Sequence, residues 1–351
     1  MRPATWWSLL REGRFAVDPS RLPMLAGVTA TTPFNAAMAG VQNIVRRSDL
    51  AAAELHGPPV FIVGHWRSGT TLLHELLVRD DRFGSPSTYQ CFAPHHFLVT
   101  QWAFRRFGRW MVPGRRPMDN MVAGWDRPQE DEFALMNLGL PSPYRRIAFP
   151  RRGPVDMDYL DFDGVNDAAL QTWSNTLQTF LRTVSVDTGR PLIVKSPTHT
   201  GRIGHLSKLF PDAKFIHITR NPRQLYPSTM RLWSSLDQVQ GLHTDPEGDL
   251  GPYVLRCFNR MYNAYYNARN DLPEGRLIEV RYEDLIHDPT AIIEKIYHGL
   301  RLADFDSIAD DLRHWQQTEH RQYQTNKHAI DANTEQTILR QWKEYFERYG
   351  Y

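Results

Sequence analysis

The sequence predicts an α/β fold in which a P-loop-like parallel sheet is flanked by helices. Three observations predict it: short apolar runs alternate with helical stretches, the first run ends in a glycine-rich turn that opens a helix, and a long aromatic-rich insertion follows this first strand–helix unit. Such alternation is typical of a parallel sheet whose ligand crevice lies at the carboxyl ends of the strands. The residues that carry chemistry are therefore expected at those strand ends.

Four short apolar runs are the strand candidates. They span residues 59–64, 191–195, 213–220 and 276–282. Runs of this length, rich in Val, Ile and Leu, suit strands that are buried on both faces. Helical stretches follow them, as at 288–300, and one terminal helix is predicted over about 333–351, where Trp342, Tyr345 and Phe346 share a face.

Residues 1–57 are predicted to form a helical or apolar extension that precedes a single α/β domain at 58–351. Within the extension, residues 22–42 carry no formal charge and follow several arginines. Pro23 and Pro33 make this run a poor membrane-spanning helix, so a packed amphipathic helix or loop is favoured. Weak contact with a membrane surface is left open as an alternative.

The insertion at about 81–154 is dense in Pro, Arg, His and aromatic residues. A long connection of this kind is usually functional or disordered, and the aromatic content argues against disorder. We interpret it as a lid that binds an acceptor, with irregular packing around the sheet as the alternative. The apolar residues that favour an acceptor with apolar area, unless they are simply core, are Trp102, Phe104, Phe107, Trp110 and Met111.

Composition excludes several classes of partner and site. The 41 Lys and Arg residues nearly balance the 39 Asp and Glu residues, so nucleic acid is not expected as a partner and any anion site must be local. Cys91 and Cys257 stand far apart without pairing or metal spacing, which fits a reducing compartment, and a cytoplasmic location is expected. The 14 histidines have no zinc-binding spacing, so no metal is predicted.

The glycine-rich turn after the first strand is GHWRSGTT, residues 64–71. A strand, such a turn and a helix place backbone N–H groups and the positive end of a helix dipole around one anion. In an ATP or GTP enzyme a loop lysine would reach the β- and γ-phosphates, but Thr70 stands in its place here. Arg67 is the available cation. With the nearby hydroxyls it suits a single 5′-phosphate, and a purely structural turn is the alternative.

A second anion cradle is indicated at the end of the third strand candidate. Arg220 closes that strand, and Ser228 lies about two turns into the helix that Asn221 and Pro222 begin. An arginine and a serine so placed can converge on a second phosphate. A surface ion pair is the alternative for Arg220 taken alone.

These motifs resemble those of the sulfotransferases that use 3′-phosphoadenosine 5′-phosphosulfate (PAPS). Residues 64–73 are similar to the family's 5′-phosphosulfate loop, and residues 215–222 with Ser228 are similar to its 3′-phosphate motif. The stretch VRYEDL at 280–285 adds to the resemblance. The stretches that resemble the bacterial and protein-tyrosine branches in particular are 192–199 and 211–213.

The resemblance, which covers about residues 59–300, implies PAPS as co-substrate with no metal required. PAPS has one 5′-phosphate bearing a sulfuryl group, so the turn has to bind a shorter anionic chain than a triphosphate. The implied PAPS-binding residues are Arg67, Ser68, Gly69, Thr70, Thr71, Leu72, Arg220, Ser228, Tyr282 and Lys327. Arg67 stands where many members have lysine. Tyr282 is expected to stack on adenine, with a core tyrosine as the alternative.

Two cations are candidates for stabilising the transferred group. In-line transfer builds charge on the oxygen that bridges phosphorus and sulfur, and fixed cations near it lower the barrier. Arg67 is one candidate. Lys195 is the other, because it ends the second strand candidate and the resemblance places its Lys-Ser-Pro turn beside the transferred group. A lysine that reaches solvent is the alternative reading of Lys195.

The acceptor must lose a proton as it attacks, so a base is required. The acidic cluster at 130–132 precedes an apolar helical run; Glu130 is favoured, then Glu132, with Asp131 third. These acids could instead be partners of the helix dipole. His199 is the competing base, because related sulfotransferases use either a glutamate or a histidine.

Together these features favour a sulfotransferase that moves a sulfuryl group from PAPS to a hydroxyl or amine of a small-molecule, lipid or sugar acceptor. A P-loop-like kinase of a small metabolite is the first alternative, against which the missing loop lysine argues. The second is a non-catalytic protein that binds an adenosine bisphosphate, or a membrane-surface protein. The oligomeric state and a peripheral membrane location are left open.

Overall fold

The computed structural model describes residues 1–107, 124–243, 249–319 and 330–351. The chain divides into two compact units. The helical unit comprises Met1–His56, Ser85–Leu192 and Arg231–Leu250. The sheet unit comprises Gly57–Gly84, Ile193–Met230 and Gly251–Tyr351.

Each strand is followed by at least one helix before the next strand begins. Up to the second strand the elements are α1 (Pro3–Glu12), α2 (Leu22–Val45), α3 (Arg47–Ala51), β1 (Val60–Val63), α4 (Thr70–Leu77), α5 (Thr88–Phe92), α6 (Phe97–Phe107), α7 (Asp131–Leu138) and α8 (Asp167–Thr188). The remaining elements are β2 (Ile193–Lys195), α9 (Ile203–Leu209), β3 (Lys214–Thr219), α10 (Pro222–Gln240), α11 (Gly251–Arg269), β4 (Leu277–Arg281), α12 (Tyr282–His287), α13 (Pro289–Leu300), α14 (Asp306–Thr318), α15 (Ala332–Gln341) and α16 (Lys343–Tyr349). A 3-10 helix, Pro197–Thr200, follows β2.

The four strands form one parallel sheet in the order β2-β1-β3-β4. Val60 of β1 is in register with Ile193 of β2 and with Lys214 of β3, and Phe215 of β3 is in register with Leu277 of β4. The predicted α/β class, its four strands and their parallel arrangement are confirmed. Because the strands are parallel, the segments that follow their carboxyl ends lie along one edge of the sheet.

Both faces of the sheet are covered, as expected for strands that are apolar throughout. On one face, Val60 and Ile62 belong to a buried apolar cluster with side chains of α4, α12, α13 and α14. On the other face, the ring centroid of Phe61 lies 5.6 Å from that of His199 and 5.7 Å from that of Phe210. This packing fixes the central strand, from which the glycine-rich turn departs.

The helical unit contains the uncharged run of the N-terminal extension, which lies in α2. This helix has 24 residues with Pro33 inside it. Trp6, Leu9 and Leu10 of α1 form a buried cluster next to it with Phe149. In the ranges that the structure describes, no helix combines the length and the hydropathy needed to cross a bilayer.

The described part of the 81–154 insertion contains α5, α6 and α7. Phe104 of α6 packs on Tyr89 with ring centroids 4.6 Å apart, whereas Trp102 and Phe107 are exposed. Trp110 and Met111 lie outside the described residues. The role of the insertion as an acceptor lid stays a prediction.

The tail forms two helices, α15 and α16, where the sequence predicts one over about 333–351. The break falls at Trp342, whose φ of −115° and ψ of 26° are not helical. The indole of Trp342 is 2% exposed and stacks on Phe258 with ring centroids 3.9 Å apart. Packing of this side chain therefore outweighs the helical pattern of its neighbours.

Glu279 of β4 lies in a network that ties α11 and α16 to the sheet. His217 Nδ1 donates to its carboxylate at 3.0 Å, and the hydroxyls of Tyr265 and Tyr349 donate at 2.7 and 2.9 Å. Burial acts to raise the pKa of Glu279, but the hydrogen bonds and the attraction of the His217 charge outweigh burial and lower that pKa to about 2. Burial lowers the pKa of His217, and its contact with Glu279 acts in the opposite direction.

The Glu279 network is expected to make stability fall in acid. The folded pKa of Glu279 lies below its ordinary value of 4.5, so its stabilisation is complete above pH 4.5 and is lost as the pH falls toward 2. The loss should be on the order of 2 kcal/mol in the free energy of unfolding. Denaturant unfolding at pH 4.5 and pH 2.5 should therefore give a smaller difference for Glu279→Gln than for the wild type. Glu335→Gln, at a more exposed carboxylate, is the control. An equal acid loss in the wild type and Glu279→Gln would contradict this role.

Candidate active site

The turn between β1 and α4 is fixed in a left-handed conformation at three positions. Gly64 and Gly69 have φ of 145° and 105°, and Arg67 between them has φ of 69°. A non-glycine residue in this region costs on the order of 1 kcal/mol, which the surrounding contacts must offset. One such contact is made by Gly64, whose N–H donates to Thr200 Oγ1 at 2.8 Å. The turn is thereby fastened to the 3-10 helix that follows β2.

The turn presents polar groups that suit an anion. Ser68 is fully buried, and within the described residues its hydroxyl has no hydrogen-bond partner. Gly69 is the N-cap of α4, and no described side chain caps this helix. The first N–H groups of the helix, among them those of Thr70 and Thr71, have no partner within the helix. Backbone donors, the helix dipole and a buried hydroxyl together fit the oxygens of a phosphate or sulfate.

The two arginines predicted to bind phosphates meet in the sheet unit. Arg67 Nε donates to Ser228 Oγ at 3.0 Å, and Arg220 Nη1 donates to the carbonyl oxygen of Arg67 at 2.7 Å. The backbone N–H of Arg220 donates to the hydroxyl of Tyr345 at 3.0 Å, which fixes the end of β3. We call Arg67, Ser228 and Arg220 the arginine cluster. Their side chains converge beside the glycine-rich turn.

Tyr282, the first residue of α12, supports both the turn and the arginine cluster. The guanidinium carbon of Arg220 lies 4.4 Å from the centroid of its ring. On Gly69 an added Cβ would lie 2.3 Å from Tyr282 Cδ2, so only glycine leaves room for the ring. Tyr282 is 6% exposed. Its stacking on adenine stays a prediction, and the ring already holds Arg220 in place.

Lys195, at the carboxyl end of β2, is 1% exposed. Its Nζ donates to Thr71 Oγ1 at 3.4 Å, which places the ammonium group beside the first turn of α4. The alternative of a lysine that reaches solvent is therefore excluded. Lys195 adds a buried positive charge to the same turn that carries Ser68 and Arg67.

His199 lies in the 3-10 helix after β2 and is fully buried. The Nη1 group of Arg202 lies 3.5 Å from its Nδ1. A guanidinium can only donate, so Nδ1 is the acceptor in this contact. The ring also meets Phe61 edge-on. A neutral imidazole has a single acceptor nitrogen, and a general base needs that nitrogen free to take the proton. In His199 the contact with Arg202 occupies it.

The acidic cluster lies at the start of α7 in the helical unit. Asp131 and Glu132 are fully buried, and Ser142 Oγ donates to Glu132 Oε1 at 2.5 Å. Glu130, the N-cap residue, is half-buried and accepts a hydrogen bond from the hydroxyl of Tyr144. Glu130 is thus the one carboxylate of the three with solvent-accessible surface of its own.

Leu72 and Lys327 are the remaining residues that the sequence predicts to bind PAPS. Leu72 is 5% exposed and its side chain belongs to the apolar cluster under α4, so only its backbone is available to a ligand. Lys327 lies outside the described residues. Among the side chains in the four described ranges, no three of His, Cys, Asp and Glu are grouped as a metal site would require.

Comparison with known proteins identifies the family. The model of the sulfotransferase family matches residues 58–307, which include the glycine-rich turn, Lys195 and the arginine cluster. The chain belongs to the sulfotransferase family. It is 40% identical over 348 residues to the omega-hydroxy-beta-dihydromenaquinone-9 sulfotransferase Stf3 of Mycobacterium bovis, and the match covers 99% of this chain and 89% of Stf3. Stf3 of Mycobacterium tuberculosis matches equally.

Two solved sulfotransferases share the fold. Sulfotransferase STF9 of Mycobacterium avium has a TM-score of 0.73 at 19% identity, with 98% of this chain and 91% of STF9 covered. Sulfotransferase STF1 of Mycobacterium tuberculosis has a TM-score of 0.59 at 16% identity, with 90% of this chain and 86% of STF1 covered. The resemblance seen in the sequence is confirmed.

Two threonines outside the glycine-rich turn support it and were not predicted from the sequence. Thr200 accepts the Gly64 N–H, and Thr229 Oγ1 donates to the carbonyl oxygen of Trp66 at 3.2 Å. Both hold the backbone of the turn in place. Each follows a residue that the sequence had already singled out, His199 and Ser228, and that adjacency is the signal that could have found them.

Replacing Gly69 with alanine is expected to weaken binding of adenosine 3′,5′-bisphosphate by at least about tenfold, since the new methyl group collides with Tyr282 and displaces Arg220. Titration calorimetry of the variant measures this. Gly189→Ala is the matched control, because Gly189 also has positive φ, at 64°, but has nothing within 4 Å of an added Cβ. Equal losses in the two variants would mean that the contact with Tyr282 has no part in binding.

Proposed function

We propose that this sulfotransferase moves a sulfuryl group from PAPS to the hydroxyl group of a lipid alcohol. The observation that carries the donor assignment is the arginine cluster, because two arginines and Ser228 converge beside a turn with its own anion-binding groups. PAPS has a 5′-phosphosulfate for the turn and a 3′-phosphate for the cluster. A donor with one anionic group, or ADP with both phosphates on the 5′ side, would leave either the turn or the arginine cluster without an anion.

The chain's residues have distinct roles in this proposal. Bound PAPS supplies the sulfuryl group, and the sulfur–oxygen bond to its 5′-phosphate breaks as the acceptor oxygen bonds to sulfur. The turn binds and orients the 5′ end through the N–H groups of Thr70 and Thr71 and the hydroxyl of Ser68. Lys195 stabilises the negative charge that develops on the departing phosphate oxygen. Arg220 and Ser228 hold the 3′-phosphate.

Glu130 is the base in this proposal. Its burial is only partial, whereas Asp131 and Glu132 are enclosed. The hydroxyl of Tyr144 donates to one of its oxygens and orients the carboxylate. His199 is disfavoured because the guanidinium of Arg202 occupies its Nδ1. The proton of the acceptor hydroxyl passes to the Glu130 carboxylate as the new bond to sulfur forms.

The acceptor class is proposed from the relatives and from the surface of the helical unit. Stf3 is named for a hydroxylated menaquinone, a lipid that carries a terminal hydroxyl, and it aligns with nearly the whole of this chain. The helical unit also exposes large apolar side chains, among them Trp102 and Phe107 of α6. Both features favour an acceptor with extensive apolar area over a sugar.

A transfer assay tests the proposal. Purified protein is incubated with sulfur-35-labelled PAPS and a long-chain isoprenoid alcohol in detergent, without added divalent metal. Label is expected in the lipid phase, and a short water-soluble alcohol should be a poorer acceptor. Label on the short alcohol alone would overturn the lipid assignment. Phosphate transfer from Mg²⁺-ATP without sulfuryl transfer would overturn the donor assignment and revive the kinase alternative.

A further inference from the structure

The helix α2 turns its apolar side outward. Its exposed large side chains are Leu22, Phe34, Val41, Ile44 and Val45. Ile44 is 79% exposed and Val45 is 64% exposed. Gly27 and Gly40 lie between Leu22 and Val41 in the helix. An added Cβ on either glycine would have nothing within 4 Å, so this side faces open space. The stripe extends along 24 residues, or about 36 Å at the rise of an α-helix.

The inward side of α2 packs Met24, Leu25 and Val28 against the buried cluster of α1, and its polar groups are hydrogen-bonded within the helical unit. Trp6 Nε1 donates to Thr29 Oγ1 at 2.9 Å, and Asn35 Nδ2 donates to the carbonyl oxygen of Met1 at 2.9 Å. The N–H of Leu98 donates to Gln42 Oε1 at 2.9 Å. Rotating the helix to bury its outward side would leave these groups without partners, at a cost in stability for each buried group. The outward orientation is therefore built in.

Positive charge flanks the apolar stripe at both ends. Residues 22–45 contain no charged side chain, while Arg14 and Arg21 precede them and Arg46 and Arg47 follow. Arg46 is paired with Asp49, whereas Arg14 and Arg47 are exposed. An apolar stripe with arginines at its ends is the pattern of a helix that lies in the headgroup region of an anionic bilayer.

Exposed aromatic side chains lie on the two helices that pack on α2. Trp7 of α1 is 48% exposed, and its ring contacts that of Phe15, which is 57% exposed. Trp102 of α6 is 66% exposed. Aromatic side chains are enriched where a protein meets the boundary between lipid and water.

We propose that the outward face of α2 is a docking surface for an anionic lipid bilayer, on which the helix lies flat. A second copy of this chain is a poorer occupant. Pairing two α2 helices in either direction would bring arginines against arginines, because both ends carry them. The inference does not rest on the proposed function. Where the acceptor is a lipid alcohol, as proposed above, docking would also bring the enzyme to the phase that holds it.

Vesicle flotation of the full-length protein tests this, and it requires neither PAPS nor an acceptor. Vesicles of phosphatidylcholine with phosphatidylglycerol are expected to bind the protein, with at least about tenfold weaker binding to pure phosphatidylcholine and in high salt. Ile44→Asp combined with Val45→Asp should lower binding at least about tenfold. Because these side chains are 79% and 64% exposed, the thermal transition should change little. The control is Leu339→Asp, on α15 of the sheet unit, where a 37% exposed leucine is replaced.

Three results would overturn the proposal. The first is no binding to either vesicle. The second is binding that the double variant retains in full. The third is a wild-type dimer in light scattering that Ile44→Asp dissociates, without vesicle binding, since a second copy would then be the occupant. Failure here leaves sulfuryl transfer in detergent unaffected, so the two proposals are tested separately.

Discussion

Lys195→Met is expected to lower kcat by about 100- to 1,000-fold while changing the Kd for adenosine 3′,5′-bisphosphate by less than about threefold. The ammonium group is buried and lies 3.4 Å from Thr71 Oγ1 at the start of α4. A cation in that position stabilises charge that develops only as the sulfur–oxygen bond breaks. Its loss should therefore raise the barrier to transfer and leave product binding nearly intact. Methionine has a similar shape and no charge, so the core around β2 is retained.

The matched control for Lys195 is Lys214→Met. Lys214 is the first residue of β3, so it lies at the amino ends of the strands, whereas Lys195 lies at their carboxyl ends. The ammonium group of Lys214 donates to the carbonyl oxygen of Arg301 at 2.8 Å. Single-turnover kinetics should separate the two variants, with the chemical step slowed in Lys195→Met only. Equal rates for Lys195→Met and the wild type would remove Lys195 from the chemistry. A parallel loss of bisphosphate affinity would make it a binding residue instead.

Glu130→Gln is expected to lower kcat by about 100- to 10,000-fold, the range for losing a general base. The amide keeps the size of the side chain but cannot take a proton from the acceptor. His199→Ala is expected to reduce kcat by less than about tenfold, apart from any effect on stability, because its Nδ1 is occupied by Arg202.

Glu132→Gln is the control for Glu130 because it makes the same chemical change in the same helix. Glu132 is enclosed and accepts a hydrogen bond from Ser142. Its replacement should therefore lower the temperature of the thermal transition while leaving kcat nearly unchanged. Steady-state kinetics with saturating PAPS and acceptor measures all three variants. A large loss in His199→Ala with turnover retained in Glu130→Gln would assign the base to the histidine.

The sheet and the glycine-rich turn were predictable because local patterns determine them. The apolar run at Val60–Val63 can only be buried, and Gly64 and Gly69 mark a turn that needs left-handed backbone. The arginine at the end of β3 was also recognisable, since a charged side chain there follows six residues of strand. The convergence of Arg220 and Ser228 near that turn followed from parallel strands ending at one edge.

Features set by distant packing were not predictable. The break at Trp342 depends on stacking with Phe258, a residue of α11 far away in the chain. The room that Gly69 leaves for Tyr282 also depends on residues far apart in the sequence. The orientation of α2 depends on partners such as Leu98 and Met1, and its pattern alone would favour burying the apolar side. In each case a long-range contact outweighs the local pattern.

In the proposed function, one site in the sheet unit binds both phosphates of the same nucleotide. Titration calorimetry of adenosine 3′,5′-bisphosphate and of ADP, without Mg²⁺, tests it most directly. The bisphosphate is expected to bind at least about tenfold more tightly than ADP, and Arg220→Ala should weaken it by about 10- to 100-fold, the loss expected for charge-assisted hydrogen bonds. Arg276→Ala is the control. It removes the same charge at the amino end of β4, away from the carboxyl ends of the strands, and should leave the affinity unchanged. Equal affinities for ADP and the bisphosphate, or full bisphosphate affinity in Arg220→Ala, would contradict the account.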